Sequence, residues 1–347
     1  MKKLLLVLGF SAIVSLGLAA SDALPASNYA IINKIHLGGD GGWDYCGIDD
    51  ATGRLFISHE TQVQVVDVST GKLIGAIADT KGVHGIAFAH EMNKAYTSNG
   101  RDSSVSVVDL KTLALITKVR VTGANPDAIV YDPFSHCVFT FNGKTNNATA
   151  IDAKMDKVVA TIVLDGKPEF PACDNSGLIF DNIEDKNEVA VINTKSMKVD
   201  KNWPIAPGTG PSALTIDNQD YRLFIGCHNK LMIVMDATSG KVIASLPIGE
   251  HVDAAAFDPG KQRVYCSNGD GTVTVIQKSG KDSFKVLENI VTQKGARTMA
   301  LSATTHRLYL PAAEYGAVPA PTPENPRPRP SIKPGSFIVL EVAPVVQ

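Results

Sequence analysis

The chain has 347 residues, 44% of them hydrophobic, and a formal net charge of −2 at pH 7. This balance excludes the basic surface that general binding to nucleic acid or to an anionic membrane requires, so we expect no nucleic-acid partner. Val, Ile and Thr are plentiful and helix-type periodic runs are nearly absent, which predicts an all-β chain.

The first segment has the parts of a secretory signal peptide. Two lysines open it, Leu4 to Leu18 form an apolar stretch, and small residues follow up to Ala23. The alternative is a membrane anchor, but this apolar stretch is shorter than a membrane span requires. We therefore interpret 1–23 as a cleaved signal peptide and 24–347 as one domain. The protein is then periplasmic or secreted and has no membrane span after cleavage.

A pattern of four short strands recurs along the rest of the chain. The segment "VQVVDVSTGKLIGAI" returns as "VSVVDLKTLALITKV" and "ATAIDAKMDKVVATI", and upstream of each copy a buried strand, a turn and an aromatic-bearing strand recur. The residue at the third-strand turn repeats every 41 to 43 positions, at Asp67, Asp109, Asp152, Asn193, Asp236 and Gln277. Four strands in such a unit are typical of a β-propeller blade.

The repeat count predicts how the ring of blades closes. Seven units are present, and the last unit lacks a fourth strand. The segment "NYAIINKIHLG", Asn28 to Gly38, copies a fourth strand but precedes the first unit. We predict that it pairs with "SFIVLEVA" and closes a seven-bladed β-propeller with four antiparallel strands per blade. The alternative, an open solenoid, would not need this extra strand.

Two of the units resemble a known repeat family. The segments "AYTSNGRDSSVSVVDLKTLALITKV" and "VYCSNGDGTVTVIQKSG" resemble the YVTN-type β-propeller repeat, in which Y-V-x-N leads to V-x-V-I-D. The resemblance covers Tyr29 to about Val342 and implies a fold similar to the propeller subunits of quinoprotein amine dehydrogenases. It implies little about function, since that superfamily includes exported proteins, surface-layer proteins and enzymes. A redox role would need a separate partner, because the chain has no C-x-x-C-H haem motif.

Two repeat positions converge at one end of the central axis, which we call the top face. The first position opens the innermost strand of each blade, and we call its seven occupants the axial ring. They are Asp44, His84, Asp127, Glu169, Ser212, Asp253 and Arg297. Side chains from many blades meet there, so we predict that the ring binds a ligand.

The second position ends the second strand of each blade, also at the top face. Its occupants are His59, Asn99, Asn142, Asn182, His228 and Asn268. We predict that Asn99, Asn142, His228 and Asn268 add to the ligand site. The alternative is a structural role, since Asn caps turns well. Trp43 and Tyr45 flank Asp44 and predict either an aromatic wall for a sugar or planar ligand, or core positions.

The charges of the axial ring predict a cation. Four carboxylates in a partly enclosed site repel each other, so either their pKa values rise or a cation compensates. Oxygen ligands suit Ca²⁺ or Mg²⁺, and a histidine among them widens the choice to Mn²⁺, Fe²⁺ or Zn²⁺. One ion reaches only neighbouring blades, which predicts either His84, Asp127 and Glu169 or Asp44, His84 and Asp127 as metal ligands.

A Pro-rich insert, 311–335, interrupts the last blade between its second and third strands. Its proline density favours extended polyproline segments. The connection it replaces lies at the top face, so we predict a lid or rim over the pocket. Arg327, Arg329 and Lys333 would then meet the acids of the ring or an anionic ligand. The alternative is a solvent loop or a partner-docking segment.

These features predict two kinds of function. The first is an exported binding module that takes a small molecule, a metal ion or a protein partner at the top face. The alternative is a divalent-metal-assisted enzyme, such as a lactonase-like hydrolase or a polysaccharide lyase. In that enzyme His84 or His59 would be the catalytic proton shuttle.

Overall fold

The structure is a computed structural model that describes residues 28–322, 325–326 and 328–345. The predicted signal peptide and Arg327 lie outside the described residues. The described part folds into seven four-stranded antiparallel sheets, with one short 3₁₀ helix at His90–Met92. The prediction of an all-β chain with seven blades is confirmed. Among the described residues, no helix has the length and apolar character needed to cross a membrane.

The first three blades follow the chain in order, from the innermost strand to the outermost. Blade 1 contains β2 (Trp43–Asp49), β3 (Arg54–His59), β4 (Gln62–Asp67) and β5 (Lys72–Ile77). Blade 2 contains β6 (Val83–Ala89), β7 (Lys94–Asn99), β8 (Ser104–Asp109) and β9 (Leu115–Arg120). Blade 3 contains β10 (Pro126–Asp132), β11 (Cys137–Asn142), β12 (Asn147–Asp152) and β13 (Lys157–Val163).

The next three blades repeat this plan. Blade 4 contains β14 (Pro168–Cys173), β15 (Leu178–Ile183), β16 (Glu188–Asn193) and β17 (Lys198–Pro204). Blade 5 contains β18 (Pro211–Asp217), β19 (Arg222–Cys227), β20 (Leu231–Asp236) and β21 (Val242–Pro247). Blade 6 contains β22 (Val252–Asp258), β23 (Arg263–Asn268), β24 (Thr272–Gly280) and β25 (Ser283–Val291).

Blade 7 joins the two ends of the chain. It contains β26 (Ala300–Ser302), β27 (Arg307–Ala312), β28 (Ile338–Pro344) and, outermost, β1 (Tyr29–His36). The strand β1 pairs antiparallel with β28, with Ile35 opposite Val339. The predicted closure by the strand ahead of the first unit is therefore present. Because β27 continues to Ala312, the connection to β28 starts two residues later than the sequence predicted.

The core lies between the blades, because each sheet is covered on both faces by its neighbours. In β3, Leu55 and Ile57 pack against blade 7, whereas Phe56 packs against Val83 and Ala95 of blade 2. Strands buried on both faces carry nearly continuous apolar runs, as the second and third strands do here. The packing of whole blades therefore fixes the direction of the innermost strands, which carry the axial ring.

Candidate ligand and metal site at the top of the axis

A break in strand register places the ring side chains. Six ring residues are the second residue of an innermost strand, and in each of these strands the pairing with the second strand shifts at that point. In β6, for example, the shift falls between Val83 and Ile86 and contains His84. A bulge bends the strand locally and changes the direction of a side chain. The repeated bulge thus accounts for a ring of polar groups on strands that are otherwise packed.

His84 connects the first three blades. Its Nδ1 lies 2.6 Å from Oδ2 of Asp44 and 3.5 Å from Oδ1 of Asp127. One donor atom from each of these three residues lies within 4.8 Å of the other two. This is one of the two metal-ligand sets that the sequence predicted. In the other set Glu169 replaces Asp44, but Glu169 instead forms an ion pair with Lys167 at 2.9 Å.

Arg297 connects the opposite side of the ring. Its Nε lies 2.8 Å from Asp253 and its Nη2 lies 3.5 Å from Asp44. The hydroxyl of Ser212 donates to Asp253 at 3.1 Å. With the His84 contacts, these interactions join six of the seven ring residues in one network. The ring opens to solvent through a pocket of about 430 Å³ whose lining includes Asp44, His84 and Arg297.

Burial makes Asp127, Glu169 and Asp253 of the ring harder to ionise. It raises the pKa of Asp127 and the pKa of Asp253 to about 6 each, against the opposing charges of His84 and Arg297. Burial and the charge of Asp127 raise the pKa of Glu169 to about 8. These three carboxyl groups therefore hold their protons to a higher pH than exposed ones do, and a cation bound beside them would favour their ionised form.

The same surroundings make His84 easier to protonate. Burial alone would lower the pKa of His84, but the hydrogen bond to Asp44 and the charge of Asp127 outweigh burial and raise it. Protonated His84 and a bound metal ion are alternative ways to balance the same carboxylates.

An apolar cavity lies deeper along the axis than the ring. It measures about 120 Å³, and its lining includes Cys46, Ile86, Phe170 and Met299. Tyr45 lies at this boundary, and its hydroxyl donates to the carbonyl of Glu169 at 3.5 Å. Burial, followed by the charges of Asp127 and Glu169, raises the pKa of Tyr45 well above its ordinary value. The sequence predicted only an aromatic wall or a core role here, and missed this contact with the ring.

Three asparagines of the second repeat position point into their own blades. Each of the three is fully buried, and its amide donates to hydroxyls on the third strand of the same blade. The contacts are Asn99 to Ser106 at 2.9 Å, Asn142 to Thr149 at 3.0 Å and Asn268 to Thr274 at 3.1 Å. Such contacts within one blade are typical of the structural role that the sequence left open as the alternative to ligand binding.

His59 lies away from the axial ring. Its side chain is buried, its Nδ1 lies 3.2 Å from Oε1 of Gln64, and its ring centre lies 4.2 Å from that of Phe337. The interface between blades 1 and 7 holds this imidazole, so the structure does not bring it to His84.

Two members of the second position were one residue out of register. The strand-end position of blade 4 is Ile183, paired with Pro168, and that of blade 5 is Cys227, paired with Pro211. Asn182 instead donates to the carbonyl of Ala213 at 3.1 Å, which links blades 4 and 5. His228 lies just beyond the strand, half exposed, with Nδ1 3.7 Å from Glu184.

The architecture defines the class of this protein as a seven-bladed β-propeller. No family model matches the chain. Antigen Lp49 of Leptospira interrogans is 22% identical over 233 residues, which cover 63% of this chain and 51% of that protein. The chain therefore spans about half the length of that curated relative.

Two solved structures show the same fold. A chain of the Kuenenia stuttgartiensis hydrazine synthase has a TM-score of 0.70 at 18% identity, covering 79% of this chain and 94% of that one. A chain of a mitotic checkpoint complex has a TM-score of 0.72 at 12% identity, covering 86% and 95%. At such identities the similarity shows the fold alone.

Proposed function

We propose that this chain is an exported binding module that takes a divalent metal ion at the top of the propeller axis, with Asp44, His84 and Asp127 as ligands. The observation that carries this proposal is the convergence of three donor atoms, from three neighbouring blades, within 4.8 Å of one another. Ligand atoms about 2.0–2.2 Å from one ion lie roughly 3.0–3.4 Å apart. The contacts of 2.6 and 3.5 Å around His84 bracket that spacing, so small side-chain rotations suffice.

The donor set favours Mn²⁺ or Zn²⁺. One imidazole with two carboxylates suits these ions, whereas Ca²⁺ takes about six to eight oxygen ligands and Mg²⁺ usually keeps several waters. Three protein ligands leave at least one coordination position for water or for a bound molecule. A small-molecule ligand of this module would thus reach the ion through the pocket of about 430 Å³.

Binding is favoured over the predicted metal-assisted catalysis. The enzyme needs a proton shuttle beside the ion, and the sequence offered His84 or His59 for that role. His59 is packed against Phe337 and lies apart from the ring. His84 is a proposed metal ligand, so its Nδ1 is not free to exchange protons while metal is bound. We therefore assign a binding role to the ring.

The proposal includes export and a place in the YVTN-type repeat family. The charged, apolar and small-residue segments of 1–23 support export to the periplasm or the medium, and the repeat segments support the family. Expression of the full chain in a bacterial host, followed by N-terminal sequencing of the exported fraction, tests export. Protein that stays in the cytoplasm with residues 1–23 attached would contradict it.

Calorimetric titration of chelator-stripped protein with MnCl₂ and ZnCl₂ tests the metal site. Wild-type protein should bind one ion, and His84→Ala or Asp127→Asn should weaken binding at least about tenfold. Glu169→Gln is the matched control, because it removes a ring carboxylate that lies outside the proposed ligand set. It should weaken binding no more than about threefold. Absence of wild-type binding, or an equal loss in Glu169→Gln and Asp127→Asn, would overturn the assignment.

A further inference from the structure

The described part of the Pro-rich insert forms a short stem on the top face. Tyr315 makes an antiparallel bridge with Ile332, and the amide of Gly316 donates to the carbonyl of Ser331 at 2.8 Å. The stem leaves blade 7 where β27 ends, at the same edge of the sheet as the ring. It therefore stands beside the mouth of the axis with a defined geometry.

Aromatic packing fixes the stem against the propeller. The ring centre of Trp43 lies 6.4 Å from that of Tyr315 and 5.4 Å from that of Phe337. Gly295, before blade 7, has a φ of +87°, and a Cβ atom there would lie 2.7 Å from the Tyr315 ring. Only glycine permits both this backbone conformation and this approach. A cleft of about 780 Å³ lies between the stem and the top loops of blades 1 and 6.

The cleft carries positive charge without a matching acid. The described residues that line it include Lys294, Arg297, Arg329 and His251 but no carboxylate. Arg297 is already paired with Asp253. Lys294 and Arg329 make no ion pair with any carboxylate in the part of the chain that the structure describes. Two unneutralised cations around one cleft create a local potential that attracts an anion.

Another cation of the insert, Lys333, does have a carboxylate partner. Lys333 lies 3.0 Å from Glu314 of the same stem, and it is not among the residues that line the cleft. The sequence had grouped Lys333 with Arg329 as possible partners of an anion. The structure separates the two, because only Arg329 is unpaired and borders the cleft.

We propose that this cleft binds a small phosphate ester whose organic part is a ring. A volume of about 780 Å³ is of the size that small-molecule sites have. Arg329 and Lys294 match the two charges of a phosphate monoester, and a guanidinium forms paired hydrogen bonds to such a group. Tyr315 is 36% exposed and Val318 is 63% exposed, so both offer surface to the flat face of a ring.

This site goes beyond the proposed metal site, because Arg329 and Lys294 would hold the phosphate and the ring carboxylates would not. Arg297 is common to both pockets, since it lines the cleft and also the pocket that contains Asp44 and His84. A phosphate ester in the cleft would lie next to the axial ring without needing its carboxylates. Binding is therefore expected in metal-free protein, and a failure of either proposal can be told apart from a failure of the other.

The test is a calorimetric titration of chelator-stripped protein with four probes. The probes are glucose 6-phosphate, phenyl phosphate, inorganic phosphate and glucose. At least one ester should bind about tenfold more tightly than inorganic phosphate, and glucose should not bind. The tighter ester distinguishes a sugar from an aromatic body. Lys294→Gln and Arg329→Gln should each lower the affinity for that ester at least about tenfold, because each removes a charged hydrogen-bond donor.

Lys333→Gln is the matched control, since it removes the same charge from the same stem outside the cleft. It should change the affinity less than about twofold. The three substituted side chains are exposed, and equal melting temperatures would confirm that every variant is folded. The proposal is overturned if neither ester binds at about 5 mM, if inorganic phosphate binds as tightly as both esters, or if Lys333→Gln weakens binding as much as Arg329→Gln.

Discussion

His84 Nδ1 lies 2.6 Å from Asp44 Oδ2, although 40 positions separate the two residues in the chain. Blades 1 and 2 bring them together, and the hydrogen bond holds a proton between them. A metal ion at this place must displace that proton before it can bind the imidazole. Proton release is thus a direct consequence of the proposed site.

Metal affinity should therefore rise with pH. The pKa of His84 is raised above its ordinary value of about 6.5 by Asp44 and Asp127, which outweigh burial. Affinity should fall as the pH drops through this raised pKa, because protons compete for the ligand atom. Titrations at pH 6, 7 and 8, in two buffers of different ionisation enthalpy, measure both the affinity and the protons released. An affinity independent of pH would contradict this expectation.

Glu169→Gln should stabilise the metal-free protein at alkaline pH. Burial and then Asp127 raise the pKa of Glu169 to about 8, so between about 4.3 and 8 the folded state holds a proton that the unfolded chain releases. The free energy of unfolding contributed by this group therefore falls as the pH rises through that window. Glutamine stays neutral, so the gain in the free energy of unfolding should grow by up to about 4 kcal/mol between pH 5 and pH 8.5, at about 1.4 kcal/mol per pH unit below pH 8.

Thermal unfolding of both proteins across this pH range provides the measurement. The control is Glu184→Gln, which also removes a carboxylate paired with Lys167. If Glu169→Gln lowered the melting temperature at pH 8.5, the ion pair with Lys167 would outweigh burial and the interpretation would be wrong.

The repeat predicted the ring more reliably than it predicted the second position. Counting residues from each aromatic places Asp44, His84 and Asp127 at equivalent points, and the structure agrees. Regular strand alternation up to the strand end sets the direction of the Asn99 side chain. The ring residues instead lie at bulges, which change the direction of a side chain and which a residue count does not reveal. The same periodicity therefore located both positions but could not say which one faces the axis.

The register error in blade 4 had a signal that would have prevented it. Phe180 is the aromatic residue of its second strand, and counting from it places Ile183 at the strand end, as the structure has it. The predicted residue, Asn182, lies one position before that strand end. The contact of Tyr45 with the ring could not be predicted from the sequence, because it depends on how far one side chain extends across the axis.

Truncation of the closing strand at a buried position should destabilise the whole propeller. Ile35→Ala removes a side chain that is 3% exposed between blades 7 and 1, and we expect a loss of about 2–4 kcal/mol. Ile32→Ala, on the same strand but 50% exposed, should change stability by about 0.5 kcal/mol or less. Denaturant unfolding measures both. Equal losses would mean that β1 does not close the ring as described.

Asp181→Thr should stabilise the protein. Asp181 is fully buried, neither carboxylate oxygen has a hydrogen-bond partner among the described residues, and burial raises its pKa well above the ordinary value. Thr97 and Thr140 occupy the same strand position in blades 2 and 3, so threonine fits the fold. We expect a gain of about 1–3 kcal/mol at pH 8.

The gain from Asp181→Thr should shrink towards pH 4. Because the pKa is raised, the folded state retains a proton that the unfolded chain loses, and the cost of the carboxyl group falls as the pH decreases. Thermal unfolding at pH 4 and pH 8 checks both points. A lower melting temperature for the variant at pH 8 would show that the carboxyl group has a stabilising partner.

The proposed site consists of three donor atoms around His84, and anomalous diffraction from crystals soaked in MnCl₂ shows directly whether they bind the metal ion. We predict one strong peak about 2.0–2.3 Å from His84 Nδ1 and from one carboxylate oxygen each of Asp44 and Asp127. The peak should be absent in His84→Ala crystals soaked in the same way. A density map with no peak at the ring, or with the ion bound by Glu169 in place of Asp44, would contradict the proposed site.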